Sequence, residues 1–381
     1  MKQRARLVIV NQDAGYLFVD LANAALGQYD EVCLLCGTVV ELGSRLDERV
    51  LVRRIVRYKR DSLFTRFLSW IAGFMNIVWV LRTRFREHEV IASSNPPLNT
   101  LLPLLIRNKI GLYVLDLYPE ALDKTGMVSE RNVIVSVWAR LNRLAYPRFQ
   151  KVWSLTPSMR IAIEGSYNIA VDLMPAWSTE MDECEDETLL DRERIRDAWV
   201  VLYSGNLGRE HEVERLLGSA ARLVHCKGLL FVIAGEGWKK AMIRDRVANE
   251  KLGNVRLLGK MSAPEFSTLL RHAKIGVVTQ SFRTADVCIP SKTFNLLASG
   301  LPILGIGKPD SDFGELISSS KSGKVFHPDE EGEMSEFLEA CWRNEPFRLE
   351  LRNEALEIAG AFTKKNAESL VESFKAAKAG V

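Results

Sequence analysis

Short apolar runs alternate with longer amphipathic stretches along nearly the whole chain. The runs predict strands at 7–11, 32–36, 50–56, 89–93, 112–116, 152–156, 171–175, 199–205, 229–235, 254–259, 275–280, 302–307 and 324–328. Most are apolar throughout rather than alternating, which favours parallel strands covered on both faces. The intervening stretches, such as "HEVERLLGSAARLVHC" (211–226), have the spacing of amphipathic helices.

The alternation of strands and helices predicts a doubly wound α/β fold, and it occurs twice. The acidic interval near 176–197 lacks strand character and separates the two series. We therefore predict two Rossmann-like domains, at 1–175 and 176–361, with a last helix in 362–381 returning to the first domain. Two such domains would face each other across a cleft at the carboxyl ends of their strands.

The composition is that of a soluble globular protein large enough for two cores. The chain has 381 residues, 47% hydrophobic and 26% charged, and a formal net charge of +3. This charge gives no indication of a nucleic-acid partner. Cys33 and Cys36 point to opposite faces of a predicted strand, so we expect buried cysteines rather than a metal or redox pair. No signal peptide is visible, and a cytoplasmic location is the simplest interpretation.

Two glycine loops follow strands of the second domain. The first contains Gly205, Asn206 and Gly208, and a helix is expected from about His211. The second contains Gly235 and Glu236. Glycines let a backbone approach an anion, and a helix start offers free N–H groups, so both loops are candidate phosphate sites. Ordinary strand-to-helix turns would also explain them.

The stretch "CIPSKTFNLLASGLPIL" (288–304) places a lysine where a helix should begin. Ser291 is a candidate N-cap, and Lys292 would lie in the first turn, near the positive end of the helix dipole. A bound diphosphate would make that position favourable. Asn295 is one turn further on, and Gly300 is placed to end the helix. A capped helix with a solvated lysine is the alternative.

These motifs resemble glycosyltransferase family 4, two-domain enzymes of the GT-B type. The matching segments are "YSGNLGREHEV", "IAGEG", "NVRLLGKMSAPEFSTLLRHAKIGVV" and "PSKTFNLLASGLPIL". In the first domain, "ASSNPPL", "LDLYPEAL" and "LMPAWS" resemble elements of family members that build O-antigen and capsule sugars on a polyprenyl-diphosphate carrier.

The resemblance implies a retaining transfer from a nucleotide-diphosphate sugar, most simply a UDP-sugar, to a lipid-linked saccharide. Arg209 and Lys292 would hold the leaving diphosphate. Asn295 stands where the family usually has a glutamate that binds the ribose hydroxyls, and no lysine follows Arg209 closely. Enzymes of this fold usually need no metal, and the five histidines form no metal-spaced pair, so no metal or other cofactor is expected.

Three positions in the first domain complete the predicted site. Gly15 follows the first strand, and in the family that loop faces the donor; a plain turn is the alternative. Asp116 and Glu120 flank "LYP" after another strand, where a carboxylate could orient an acceptor hydroxyl or act as a base, or cap the next segment. In the second domain, Asp286 could contact the donor sugar or lie on a surface loop.

Residues 53–86 combine arginines with aromatic residues at helical spacing. We read this segment as a surface helix touching an anionic membrane, with Arg60, Arg66, Trp70 and Phe74 as candidate contacts. A core helix of the first domain is the alternative, and both interpretations can hold together, with one face on the sheet and another on lipid. The run 67–81 is shorter than a membrane span and is interrupted by Ser69, Gly73 and Asn76.

The combined prediction is a GT-B glycosyltransferase of bacterial surface-polysaccharide synthesis, peripheral on the cytoplasmic face of the membrane. Two alternatives remain. A nucleotide-sugar 2-epimerase shares the architecture but has no need of the basic aromatic segment. A non-catalytic scaffold of a polysaccharide assembly complex would bind no UDP.

Overall fold

The computed structural model describes residues 5–41, 43–59, 62–120, 133–179, 186–209, 211–282, 285 and 288–377. The chain divides into two compact units. The first comprises 1–179 together with 364–381, and the second comprises 180–363. Both contain parallel sheets with helices between successive strands, which confirms the predicted α/β class.

The first unit is built on a seven-stranded parallel sheet in the order β5-β3-β1-β6-β7-β8-β9. A small pair, β2 and β4, lies beside it. The strands are β1 Arg6–Val10, β2 Asp13–Ala14, β3 Glu31–Cys36, β4 Thr38–Val39, β5 Leu51–Arg54, β6 Glu89–Ser93, β7 Ile110–Val114, β8 Lys151–Ser154 and β9 Asp172–Leu173. Ile9 in β1 aligns with Leu34 on one side and Ile91 on the other, so the central strand is apolar towards both neighbours.

The described residues of this unit that precede the second one form four helices. They are α1 Tyr16–Ala25, α2 Leu63–Thr83, α3 Val133–Ala145 and α4 Pro157–Tyr167. A 3-10 segment, Pro97–Leu104, contacts both α2 and α3. The α2 helix begins at a capping box, in which Ser62 and Thr65 exchange side-chain and backbone hydrogen bonds. The box explains why this helix starts where it does, after the basic segment.

The second unit has a six-stranded parallel sheet in the order β12-β11-β10-β13-β14-β15. Its strands are β10 Trp199–Ser204, β11 Leu229–Ala234, β12 Val255–Leu258, β13 Ile275–Thr279, β14 Ile303–Ile306 and β15 Gly323–Phe326. Its helices are α5 Thr188–Arg192, α6 Arg215–Arg222, α7 Lys240–Asn249, α8 Ala263–His272, α9 Lys292–Ala298, α10 Asp312–Ser319, α11 Glu331–Arg343 and α12 Glu345–Ala359. Tyr203 in the central strand is fully buried between Ile233 and Val277. The glycine loops follow β10 and β11 directly.

The last helix, α13 Lys365–Ala376, belongs to the first unit. It packs on α1, and Leu370 and Phe374 lie in the same apolar cluster as the central strands. The Trp153 indole in β8 donates a hydrogen bond to Ser373 Oγ at 3.0 Å. The first unit is therefore closed by residues from the far end of the chain.

Candidate functional site

The two glycine loops of the second unit are packed main chain against main chain. The Gly205 N–H donates to the Ala234 carbonyl at 3.0 Å, and the Leu207 N–H donates to the Glu236 carbonyl at 2.8 Å. Gly235 has a φ of +145°, and a Cβ there would overlap the carbonyl oxygen of Gly205. Contact between the loops is by itself enough to require glycine at 235. A role for Gly235 in donor binding stays a prediction.

The helix after the first loop starts later than predicted. The α6 helix begins at Arg215 rather than near His211, because the Arg215 N–H bonds the carbonyl of Glu212. The His211 carbonyl oxygen instead accepts from Lys239 Nζ at 2.7 Å. The His211 ring nitrogen Nδ1 lies 3.0 Å from Thr279 Oγ1, at the end of β13. The segment between Gly208 and α6 is thus held by side chains.

Lys292 lies directly against the first glycine loop. Its Nζ is buried and has no hydrogen-bond partner within the described part of the chain. The ammonium stands 4.3 Å from the centre of the Tyr203 ring, and a Cβ at Gly205 would collide with it. Burial lowers the pKa of Lys292 to about 8. An unpaired buried ammonium costs free energy, and a bound anion would supply the missing partner.

The helix carrying Lys292 differs from the prediction at its start and agrees with it at its end. Ser291 is exposed, has helical φ and ψ, and makes no side-chain capping bond, so the prediction that it caps α9 is wrong. Gly300 takes a φ of +65° just after the helix, as expected for a C′ glycine. Asn295 lies three residues after Lys292, on the same side of α9, and its carbonyl accepts from Ser299.

A lysine that was not predicted from the sequence is buried beside the same loop. Lys239 is 6% exposed and donates both to the His211 carbonyl and, at 2.5 Å, to Glu214 Oε1. Its own N–H donates to the Leu207 carbonyl at 2.8 Å. The signal was present in "GEGWKK", where a lysine pair follows the second loop. Lys239 is an anchor of the loop, with its charge already paired.

The remaining predicted donor-binding side chains of this unit lie at the surface. The Arg209 guanidinium stacks 4.6 Å from the centre of the exposed Trp238 ring. Asn206 is exposed, and its carbonyl accepts from the Tyr203 hydroxyl at 2.8 Å. Glu236 is exposed and paired with Lys240 at 2.5 Å. These side chains rim the loops, and only Lys292 reaches into them from α9.

The predicted residues of the first unit follow two different strands. Gly15 precedes α1 with an extended backbone, and a Cβ there would meet no atom within 4 Å, so no contact in the structure requires glycine. The N–H groups of Leu115 and Asp116 both donate to Ser94 Oγ at 3.0 Å. Asp116 has exposed surface, yet desolvation raises the pKa of its carboxyl.

Glu120 is directed towards buried tyrosines. The rings of Tyr146 and Tyr167 stack with their centres 3.9 Å apart. Burial raises the pKa of Tyr167 to about 12, and the Glu120 carboxylate adds to the shift. This environment supports a role for Glu120 in ordering the unit, and its predicted role towards an acceptor stays a prediction.

Two predicted membrane contacts are corrected by the structure. Trp70 and Phe74 are each 6% exposed, because they lie on the inner face of α2. Trp70 packs with Trp138 of α3 instead of facing outward. Arg66 is half-buried. Arg60 and Asp286 lie outside the described residues.

The same helix is longer than the sequence argument allowed. Residues 64–83 are long and apolar enough to cross a membrane by length and composition, with a mean hydropathy of 1.4, and Ser69, Gly73 and Asn76 do not interrupt them. In that helix, 44% of the most apolar stretch is buried inside the protein. A core helix of a soluble protein passes the same test.

Within the described residues, one group of side chains has the spacing of a metal site. It consists of His225, Cys226 and Glu339. The His225 ring lies 3.3 Å from the Glu339 carboxylate, and Arg343 approaches the same oxygen at 2.6 Å. His225, followed by Arg343, holds the pKa of Glu339 below its usual range. Protein partners thus already balance this carboxylate. The group also precedes β11, at the end of the sheet away from the glycine loops.

Comparison with solved structures identifies the architecture. WaaG, a glycosyltransferase involved in lipopolysaccharide biosynthesis, matches with a TM-score of 0.68 at 14% identity, over 97% of this chain and 99% of that one. HepE from Anabaena, solved in complex with UDP, matches with a TM-score of 0.71 at 13% identity, over 98% and 99% of the two chains. The fold is that of the GT-B glycosyltransferases.

Sequence comparison assigns the family of the second unit. Residues 186–359 match the model of glycosyl transferases group 1, and they constitute a domain of that family. The probable glycosyltransferase WbjE of Pseudomonas aeruginosa is 22% identical over 278 residues, which cover 70% of this chain and 69% of that protein. The putative colanic acid biosynthesis glycosyl transferase WcaI of Escherichia coli K12 is 30% identical over 120 residues, which cover 32% and 29% of the two chains. The second unit therefore carries a glycosyl transferases group 1 domain.

Proposed function

We propose that this glycosyltransferase transfers a sugar from a UDP-sugar to a lipid-linked saccharide at the cytoplasmic face of a bacterial membrane, with retention of anomeric configuration. The observation that carries the donor half is the buried ammonium of Lys292, which contacts Gly205 and has no hydrogen-bond partner among the described residues. A diphosphate is the ligand whose charge and size suit that position beside a glycine loop. The solved complex of HepE with UDP supports the choice of nucleotide.

In this proposal the Lys292 ammonium binds the diphosphate and gains from the charge that develops as the sugar–phosphate bond breaks. Because the lysine is already desolvated and fixed by Tyr203 and Gly205, little reorganisation accompanies the reaction. Arg209, on the exposed rim, adds a second cation. These groups supply the charge that a metal would otherwise provide, so we expect EDTA to leave turnover unchanged.

The acceptor half of the proposal rests on the relatives and on the first unit. WaaG is involved in lipopolysaccharide biosynthesis, and WcaI is named for colanic acid biosynthesis. We infer a role in surface-polysaccharide synthesis. Asp116, whose pKa is raised by desolvation, is the proposed partner of the acceptor hydroxyl.

Calorimetric titration with UDP, GDP and dTDP tests the donor. We expect UDP to bind most tightly to the wild-type protein, and Lys292→Met to weaken UDP binding about 100-fold, which is the loss expected for a buried charge-assisted contact. Lys240→Met, which removes a half-buried lysine paired with Glu236, is the matched control and should bind UDP as the wild type does. Absence of UDP binding by the wild-type protein would instead support a scaffold.

Product analysis tests the reaction. Incubation with a UDP-sugar and a lipid-linked acceptor, followed by NMR of the product, should show the donor's anomeric configuration retained. Inversion would refute the retaining mechanism. Conversion of the UDP-sugar to its 2-epimer without any acceptor would favour the epimerase.

A further inference from the structure

The α2 helix has two apolar faces, of which only one is covered. The inner face carries Trp70, Phe74, Ile77 and Leu81, all buried. The outer face carries large apolar side chains that are 50–71% exposed: Phe64, Leu68, Ile71, Met75 and Trp79. Their spacing of three or four residues places them in one stripe along the helix, roughly 22 Å long.

A second exposed apolar group lies on the neighbouring helix α3. It contains Val133, Ile134, Val137 and Leu144, exposed by 75%, 72%, 47% and 60%. The two helices are joined through Tyr118, whose ring centre lies 6.0 Å from that of Trp70 and 6.1 Å from that of Trp138. Both also pack on the 3-10 segment Pro97–Leu104. The two exposed groups therefore belong to adjacent elements of one unit.

The charge around the α2 stripe is strongly one-sided. Residues 49–86 contain ten lysines and arginines and a single acidic residue, whereas the whole chain has a net charge of only +3. Arg53, Arg54 and Arg57 are exposed in the segment before the helix, and Arg82, Arg84 and Arg86 are exposed at and beyond its end. The Val56 N–H donates to Asn76 Oδ1 and the Lys59 N–H to Ser69 Oγ, so the preceding segment runs alongside α2. Arg140 and Arg143 are exposed on α3.

The combination of exposed apolar area and positive charge favours an anionic lipid surface over a second copy of the chain as the partner. A second copy of the chain would bring two sets of exposed arginines together, and the repulsion between them opposes a dimer through this face. An anionic phospholipid surface offers acyl chains to the stripe and negative headgroups to the arginines. The covered inner face fixes the orientation, because α2 cannot leave the core to cross the bilayer without exposing Trp70 and Phe74.

We propose that the outer stripe of α2, with the exposed apolar group of α3 beside it, docks the protein on an anionic bilayer with α2 lying along the surface. Docking here would hold the first unit where a lipid-linked acceptor resides, and in that respect it rests on the proposed function. The contacts are Phe64, Leu68, Ile71, Met75 and Trp79, in place of the buried pair named from the sequence.

Vesicle flotation tests the proposal with phosphatidylcholine vesicles and with vesicles containing 30% phosphatidylglycerol. We expect wild-type protein to float with the anionic vesicles and to partition at least tenfold less onto the neutral ones. Leu68→Gln/Ile71→Gln/Met75→Gln should lower partitioning onto anionic vesicles at least tenfold. Arg82→Glu/Arg84→Glu should also lower it and should remove the difference between the two vesicle types.

A matched control separates the stripe from surface hydrophobicity in general. Ile161→Gln/Val224→Gln replaces two side chains that are 68% and 60% exposed elsewhere, and it should float as the wild type does. Melting temperatures of all variants verify folding. Equal flotation of the wild type and the stripe variant would overturn the proposal. So would a dimer in sedimentation velocity that the stripe variant abolishes.

UDP titration of the same variants keeps the two proposals distinguishable. The stripe variant should bind UDP as the wild type does while failing to float. If the wild type floats but binds no UDP, the proposed donor chemistry fails and the membrane surface stands.

Discussion

Two lysines that contact the first glycine loop or the segment after it differ in how the protein surrounds their charge. Lys239 donates to the His211 carbonyl and to Glu214, and its own N–H bonds Leu207. Lys292 faces Gly205 and the Tyr203 ring with no hydrogen-bond partner in the described residues. The charge of Lys239 is compensated within the protein, whereas the ammonium of Lys292 is desolvated without such compensation. The contrast predicts opposite effects on stability when each lysine is removed.

The largest effect that follows from this comparison is the loss of the paired lysine. Lys239→Met should lower the free energy of unfolding by about 2–4 kcal/mol, because it leaves the half-buried Glu214 carboxylate without its cation. Urea unfolding measures the change. The double variant Lys239→Met/Glu214→Gln should recover part of the loss. A stability equal to that of the wild type would show that the pair contributes nothing.

Replacing Lys292 is expected to change the free energy of unfolding in the opposite direction. Lys292→Met should raise the free energy of unfolding of the ligand-free protein by about 1–3 kcal/mol, because it removes a desolvated charge and keeps the volume. The same urea experiment applies. A decrease in stability would mean that Lys292 is a structural residue and would remove the contrast with Lys239.

The variant Gly205→Ala tests the contact between Gly205 and the Lys292 ammonium without removing the charge of the lysine. Gly205→Ala should raise the Kd for UDP about tenfold, roughly 1.4 kcal/mol, because the added Cβ displaces the Lys292 ammonium. Gly253→Ala is the matched control, since a Cβ there meets no atom within 4 Å. Unchanged affinity in both variants would indicate that the ligand does not depend on the position of the ammonium.

The pH dependence gives the smallest and most gradual effect. A lysine with a folded pKa of about 8 binds fewer protons than the unfolded chain between pH 8 and about 10.5, so the stability of the free protein should rise with pH through that window. A diphosphate prefers the ammonium, so UDP affinity should fall above pH 8, by at most about tenfold per unit. The affinity for UDP is measured from pH 7.5 to 9 for the wild type and for Lys292→Met, and the variant corrects for the titration of the nucleotide itself. If the ratio of the two affinities did not change with pH, the lowered pKa of Lys292 would be contradicted.

The strands were predictable because they follow from the local pattern of apolar residues. The proximity of the two glycine loops and Lys292 was predictable from the order of the strands. Each apolar run forms the strand that it predicted, and only the short pair β2 and β4 was missed. Lys292 meets Gly205 because the carboxyl ends of parallel strands share one edge of a sheet. Both loops and the lysine belong to segments that reach that edge.

Other features depend on tertiary contacts that a pattern does not contain. The α2 helix is apolar on two faces, so its spacing could not tell which face is inward, and Trp70 and Phe74 were placed on the wrong side. The start of α6 was misplaced because the Arg215 N–H bonds the Glu212 carbonyl. Lys239 is buried and pairs with Glu214, whereas its neighbour Lys240 is half-buried and pairs with Glu236, and the local sequence does not distinguish the two.

The return of α13 to the first unit has a consequence for the order in which the protein is made. The helix contributes Leu370, Val371 and Phe374 to the apolar cluster of the amino-terminal sheet. During synthesis, domains generally fold from the amino terminus onward. Here the unit translated first lacks part of its interior until α13 has left the ribosome. The second unit, 180–363, is translated entirely before α13. The second unit can therefore complete its interior before the first unit does.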